Sequence, residues 1–458
     1  MAYSSNATTR LITIVSSSWV IAIAVFRDFT YDESWSYLSS TAHSITDIIL
    51  YRGYVHANNH VYNSALFHTI GHIDAPKIAY RSLSVVCFYI FLKQVHKISQ
   101  ITGASRLLLV SLCCFAPYIS YFSLARGYAL ALTCFILGYR ILIEHKKTTQ
   151  ASIVFGLTLF ICSTAIFSFS YGAIALWVLW VIQNRKTKNI ISAIIFPTIL
   201  LFAAIIYVYH AGEIIILNDP YIPKSNNLFK NGLVSSLISY QAGGVFSINS
   251  HSFLLLRIIQ LGSVLVLLIL QIQSAIRKVA NRHVVTTIFL LSLIIFGFFA
   301  SHTLLGTPYP LGRAVVFILP VIYLLCVDAL RNFKPAIRIT FLLVMTAPVA
   351  FGNIKGMTDI FNPSIERLLS ENNPVEVAFI GLKPTPWISA PIARTIPEVK
   401  IRKYAGVTEF LQSTNPPNVV ISPVDSLHLF PVNDELSIEM QAGFIWINMT
   451  MPGHKLID

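Results

Sequence analysis

Arg27-Asp28-Phe29-Thr30-Tyr31-Asp32-Glu33-Ser34-Trp35-Ser36-Tyr37 comes directly after the apolar run 11–26, and its reading decides the fold. The run has the character of a membrane helix, and it ends on the charged Arg27-Asp28 rather than on a small-residue cleavage site. It is therefore read as a retained first helix or signal anchor, not a removed signal peptide. Asp32-Glu33 then sit about five residues beyond the bilayer, where paired carboxylates are costly to keep ionised unless water, a cation or a reacting group is close. A carboxylate at that point reaches a polar headgroup whose lipid tail stays in the membrane, which suits chemistry on a lipid-linked substrate. The plain alternative is an acidic loop end.

Composition agrees with a membrane class. Hydrophobic residues make up 55% and charged residues 12%, against about 25% charged in soluble domains, and the mean hydropathy is +0.67. Apolar segments able to cross the hydrocarbon core are predicted over 11–27, 78–96, 106–124, 127–143, 151–167, 171–183, 190–209, 253–273, 284–301, 314–330 and 337–353. The fifth and sixth could form one long broken helix through the weak turn Phe167-Ser168-Phe169-Ser170-Tyr171-Gly172. Positive charge sets the orientation. Lys93, Lys97 and Arg106, then Lys146-Lys147, Arg185-Lys186-Lys188, Arg277-Lys278 with Arg282, and Arg331, Lys334 and Arg338 fall in alternate loops. Those loops are read as cytoplasmic, and Asp32-Glu33 faces outward. An odd helix number puts the C-terminal tail outside too.

The net charge of +13 is largely accounted for by this topology, and no basic patch interleaves with exposed aromatics as in nucleic-acid binders. Cys87, Cys113, Cys114, Cys134, Cys162 and Cys326 all lie in predicted helices, which excludes a disulfide framework and reads as packing.

Three outward regions exceed the length of mere connectors. In 28–77, Glu33–Ala42 and Asn59–Ile70 carry helical spacing and read as short interfacial helices roofing a site at membrane level. The second region, 210–252, is rich in Pro, Gly and Asn and reads as a loop. The third, 354–458, reads as a small α/β domain on the outer side, with strands at Val375–Leu382 and Val419–Ile421 and a helix at Val407–Ser413. The domain organisation is thus a membrane domain over 1–353 and an extracytoplasmic domain over 354–458.

Other polar groups gather at the same outer rim. Arg126-Gly127-Tyr128 marks the turn between the third and fourth spans, Pro308-Tyr309-Pro310-Leu311-Gly312-Arg313 lies between the ninth and tenth, and Arg81 opens the second. Forked guanidinium donors match phosphate oxygens, so Arg313, Arg126 and Arg81, with Tyr128 and Tyr309, form a candidate phosphate site. The alternative is snorkelling to headgroups or pairing with Asp28 or Asp32. His56/His60 and His68/His72 have the i,i+4 spacing of zinc ligands, but no Glu or Cys completes a site. His60 is read instead as a substrate hydrogen-bonding group, with Asn59, Asn63 and His302 as further substrate-binding candidates.

In order and topological side these motifs resemble the GT-C superfamily of integral-membrane glycosyltransferases. Nearest in pattern are the bacterial enzymes related to protein mannosyltransferases and the aminoarabinose transferase of lipid A. The resemblance rests on Asp32-Glu33 after the first helix, Asn58-Asn59-His60-Val61-Tyr62-Asn63, Ala125-Arg126-Gly127-Tyr128, and Gly312-Arg313 with Pro320. It covers most of 1–353. Many relatives carry an acidic residue and paired prolines where this chain has Asn58-Asn59-His60, a departure that bears on specificity. The size, the large first outward loop and the outward tail also resemble serotype-converting glucosyltransferases, which decorate O-antigen.

The resemblance implies transfer of a monosaccharide from a polyprenyl-phosphate donor, in a bacterium undecaprenyl phosphate, to an envelope glycan, lipid or protein outside the inner membrane. Asp32 would serve as base and Glu33 would position the acceptor or assist electrostatically, with inversion at the anomeric carbon. No cofactor is required, although a divalent cation at Asp32/Glu33 stays open as an alternative. No nucleic-acid partner is expected. Three other readings remain: an O-antigen polymerase or ligase, for which 210–252 would be essential, a lipid-linked sugar transporter or flippase, and a structural scaffold, which would have no need for Asp32-Glu33. Transporters place charge in mid-helix, whereas here it lies at the rim.

Overall fold

The computed structural model describes residues 2–27, 29, 31–52, 60–71, 73, 75–115, 118–145, 148–186, 191–218, 251–277, 279–307 and 312–345, with strand segments 376–380, 400–404, 419–423, 436–441 and 444–449. Among them the helices are α1 (Ala2–Phe26), α2 (Tyr31–Ala42), α3 (Ile45–Ile49), α4 (Val61–Ile70), α5 (Lys77–Thr102), α6 (Arg106–Phe115), α7 (Tyr118–Ser123) and α8 (Gly127–Glu144). They continue with α9 (Thr149–Ala165), α10 (Ser170–Asn184), α11 (Phe196–Asn218), α12 (His251–Ile276), α13 (Arg282–Leu305), α14 (Ile318–Ala329) and α15 (Pro335–Met345). Among the described residues, seven helices are long and apolar enough to cross a bilayer, and α9, α14 and α15 are shorter apolar helices. The chain is a multi-pass membrane protein.

Where their residues are described, the predicted spans fall mainly on helix, and 346–353 of the last lie outside the described residues. In the third, α6 ends at Phe115 and α7 starts at Tyr118, and Ala116 and Pro117 lie outside the described residues. The fifth and sixth are separate helices: Ile166 is extended (φ −145°, ψ 116°) and a 3₁₀ turn over Phe167–Phe169 precedes α10. The seventh runs past its predicted end to Asn218, taking up the start of the expected loop. The rest of that loop, 219–250, and the expected helix Val407–Ser413 lie outside the described residues.

The α8 helix is apolar on all sides, as a central helix should be. Of the residues in its apolar window 78% are buried, against 22% for those of α11 and α12, so α8 sits at the core and those two face outward. Phe135 on α8 packs on Phe317 with ring centroids 5.3 Å apart, and Phe155 on α9 stacks on Trp180 at 4.4 Å. All six cysteines are free and buried.

Within 354–458 five strands, β1 (Glu376–Ile380), β2 (Lys400–Tyr404), β3 (Val419–Pro423), β4 (Leu436–Gln441) and β5 (Phe444–Met449), form one mixed sheet in the order β2-β1-β3-β5-β4. Both expected strands are present as β1 and β3. The β1 strand runs parallel to both its neighbours, while β5 pairs antiparallel with β3 and β4. Gln441 opposes Phe444 at the end of the β4–β5 pair, and Ala442 and Gly443 lie outside the described residues.

Candidate active site

The last carbonyls of a helix have no partner within it. At the end of α1 those carbonyls meet Arg81, from the first turns of α5. Its Nη1 donates to the carbonyl oxygens of Ile23 (3.2 Å), Ala24 (3.1 Å) and Arg27 (2.6 Å). A cation there also complements the helix dipole. The other edge of the guanidinium is bidentate to Glu33 of α2, Nε to Oε1 at 2.8 Å and Nη2 to Oε2 at 2.9 Å, and the backbone N–H of Ala125 donates to Oε1 at 2.7 Å. Both side chains are fully buried, and the guanidinium lies 5.5 Å from the Phe29 ring centroid, within cation–π range. One ion pair thus ties together the end of α1, the start of α2, α5 and the turn that leads to Arg126. Sequence reading gave Glu33 a chemical task and Arg81 a place among the phosphate ligands. The structure places them against each other, with the Glu33 carboxylate and the Arg81 guanidinium each taken up by protein partners.

The α4 helix closes one side. His60, Asn63, Ser64 and Phe67 recur at helical spacing, so one stripe points inward, and all four are buried. Phe67 stacks on Tyr80 at 5.1 Å and meets Phe29 at 5.7 Å. At the other end His60 packs edge-on to Tyr128 at 5.4 Å. Gly127 makes this approach possible: a Cβ there would lie 2.6 Å from the carbonyl oxygen of Ala165 and 3.3 Å from Cβ of His60. Tyr62, on the flank of α4, hydrogen-bonds Thr164 at 2.8 Å. Burial raises its hydroxyl above the usual tyrosine range, the Thr164 bond pulling the other way, so it stays a neutral bonding group.

A third wall comes from later in the chain. Ser168 donates to the carbonyl of Ala314 at 2.7 Å, which fastens the turn after α9 to the 3₁₀ turn Gly312–Val315 that carries Arg313. Gly127 already touches Ala165 and Ile166, so the backbones of Arg126 and Arg313 are drawn to one neighbourhood. Tyr171 donates to Ser301 Oγ at 2.8 Å, and Ser301 in turn bonds Thr307 at 2.6 Å. His302 Nδ1 meets the Thr307 carbonyl at 2.8 Å, across the end of α13 where Gly306 adopts the left-handed φ of +65°. His302 therefore closes its own turn.

Glu33, Arg81, Arg126, Tyr128, His60, Asn63 and His302, with the backbones of Asp32 and Arg313, all lie at one end of the bundle. Asp32 is in the first turn of α2, directly before Glu33. Asn59 and Tyr309 lie outside the described residues, as do His56 and His72. His68 Nδ1 meets the Ser40 carbonyl at 3.0 Å. Sequence reasoning missed the Ala125 N–H, the Tyr62–Thr164 bond and the short helix α3. The last had a signal in Ser44-Ile45-Thr46-Asp47: Ser44 Oγ accepts from the Asp47 N–H at 3.1 Å, as an N-cap does.

Neither a protein-family model nor a curated protein matches the sequence. Among solved structures, the chain is similar to ArnT from Cupriavidus metallidurans in the apo state, with a TM-score of 0.52 at 8% identity over 97% of this chain and 98% of that one. It is equally similar to the same protein bound to undecaprenyl phosphate, with a TM-score of 0.52 at 10% identity over 98% and 99% of the two chains. At such identity the likeness speaks for the fold, and it runs over nearly the whole of both chains: this is a multi-pass membrane protein of GT-C fold.

Proposed function

We propose that the protein is a glycosyltransferase that moves a monosaccharide from a polyprenyl-phosphate donor to an envelope glycan, lipid or protein acceptor, at the outer face of a bacterial inner membrane. The observation that carries this reading is the Glu33–Arg81–Ala125 clamp. It fixes the helix bearing Asp32 against the turn bearing Arg126, and such over-determined placement is what a reacting carboxylate needs. Support also comes from the fold, from the undecaprenyl phosphate held by one of the two ArnT structures, and from the gathering of arginine and tyrosine at the same end of the bundle.

Asp32 takes the proton of an acceptor hydroxyl as its oxygen attacks the anomeric carbon. The bond from that carbon to the phosphate oxygen breaks, the polyprenyl phosphate leaves, and the configuration inverts. Arg313 with Arg126 meets the charge developing on the leaving phosphate. Glu33 acts through position, held by Arg81 and the Ala125 N–H. Arg81 likewise belongs to the frame, not to the phosphate site.

The test is Asp32→Asn, assayed in detergent with polyprenyl-phosphate sugars and a preparation of envelope glycan. Base assistance contributes roughly 10²–10⁴-fold, so transfer should fall by at least the lower figure while the thermal unfolding midpoint stays that of the parent. Near-normal turnover in Asp32→Asn would sink the assignment of the base.

A further inference from the structure

Asn63 lies on the inward stripe of α4 with its whole carboxamide buried. It is 1% exposed, and neither Oδ1 nor Nδ2 meets a hydrogen-bond partner among the described residues. Ser64 beside it is fully enclosed, and its Oγ likewise meets none among them. Buried amides and hydroxyls are almost always bonded, and an apolar residue would fill the same place on α4 without that cost.

The packing of α2 on α4 fixes the level at which these groups lie. A Cβ on Gly71 would run into Thr41, and the Tyr37 and Phe67 rings meet at 6.3 Å. The two helices thus run side by side with a constant offset, and one further turn back brings Asn63 to the level of Glu33. From the other direction, His60 lies against Gly127, two residues from the Ala125 N–H that Glu33 accepts. Asn63 therefore sits beside the clamp, next to the turn of α2 that carries Asp32.

The chemistry of the pair limits what it can bind. A carboxamide offers a donor group and an acceptor side by side, and a serine hydroxyl offers either. Neither carries charge, so a phosphate gains little from them. The set matches two neighbouring hydroxyls on a sugar ring, each able to give one hydrogen bond and accept another. We infer that Asn63, with Ser64, reads a pair of ring hydroxyls of a sugar substrate and sets sugar specificity. This inference rests on the glycosyltransferase reading of the site.

The experiment compares the full-length parent with Asn63→Leu, close in size and apolar, and with Asn63→Ser. Binding is measured with short-chain polyprenyl phosphate, bare and carrying glucose, galactose or mannose. In the parent one of the sugars should tighten binding relative to the bare phosphate. In Asn63→Leu that gain should shrink by about tenfold, the net worth of a lost neutral hydrogen bond, with bare phosphate bound as before and the unfolding midpoint unchanged or raised. If the sugar read is the acceptor's, the donor gain persists and KM for the glycan acceptor rises with kcat unchanged. Either result supports the assignment. It is overturned if both variants bind every donor and use the acceptor as the parent does, or if both unfold at lower temperature than the parent, which would mark a structural role. A parent that binds none of the polyprenyl phosphates overturns the functional reading and this inference together, a result distinct from the other two.

Discussion

Two acidic groups, the buried Glu33 and the partly exposed Asp328, hold opposite ends of the bundle in different ways. Glu33 shares both oxygens with Arg81 at 2.8 and 2.9 Å, takes a third bond from Ala125, and is enclosed with its partner. At the far end of α13 from His302, His283 Nε2 approaches Asp328 Oδ1 at 3.4 Å and Gln271 Nε2 donates to Oδ2 at 3.1 Å, with His283 and Asp328 side chains 16% and 11% exposed. Tyr139 and Thr287 hydroxyls meet at 2.6 Å nearby, and Thr287 donates to the His283 carbonyl. The first site joins backbone from two other parts of the chain to a planar, bidentate pair. The second joins side chains through single bonds, one of them long. The lesson is that rigidity here is concentrated where Asp32 sits, while the opposite end is held by contacts that tolerate change.

The largest effect should come from Arg81→Met. It leaves Glu33 buried without its counter-charge and strips the end of α1 of its cap, and breaking such a pair costs about 3–5 kcal/mol. Thermal unfolding in detergent reads the loss. Combining it with Glu33→Gln should restore part of the stability, because the uncompensated charge is then gone. A stable Arg81→Met protein whose only defect is weaker donor binding would return Arg81 to the phosphate site that the sequence suggested.

Next is Gly127→Ala. The added methyl meets the Ala165 carbonyl oxygen at 2.6 Å, and backbone cannot rotate away as a side chain can. Overpacking of this kind costs about 1–3 kcal/mol, and the shift displaces Arg126 next to it. The expected outcome is a moderate drop in unfolding temperature with a proportionally larger loss of transfer. Equal, small losses in both would mean that the turn relaxes without moving Arg126.

The contrast between the ends also explains what could be read from the sequence. The apolar spans were legible because hydropathy and loop charge report directly on the bilayer, and Asp32-Glu33, Arg81, Arg126 and His60 were legible as polar groups on one side of it. Their pairing was not. Glu33 and Arg81 are 48 residues apart, and nothing local distinguishes an arginine that caps a helix from one that holds a phosphate. The Ala125 N–H carries no side-chain signal at all. The Asp328–His283 contact has one in an acid within an apolar helix, but its partner lies 45 residues away and no local pattern points to it.

The smallest effect should come from Asp328→Asn. The amide keeps an oxygen for the Gln271 Nε2 donor and turns its nitrogen toward His283, so most of the hydrogen bonding survives the loss of charge. A single long, partly exposed pair contributes about 1 kcal/mol or less, and α13 lies between this end and the proposed chemistry. The unfolding midpoint should therefore move slightly, and transfer should match the parent within the error of the assay. If Asp328→Asn instead destabilises as strongly as Arg81→Met, the two ends are equally committed and the slack assigned to this one is wrong. If it leaves stability intact and stops transfer, the distant cluster is coupled to the site, and the rigidity around Asp32 depends on more than its own clamp.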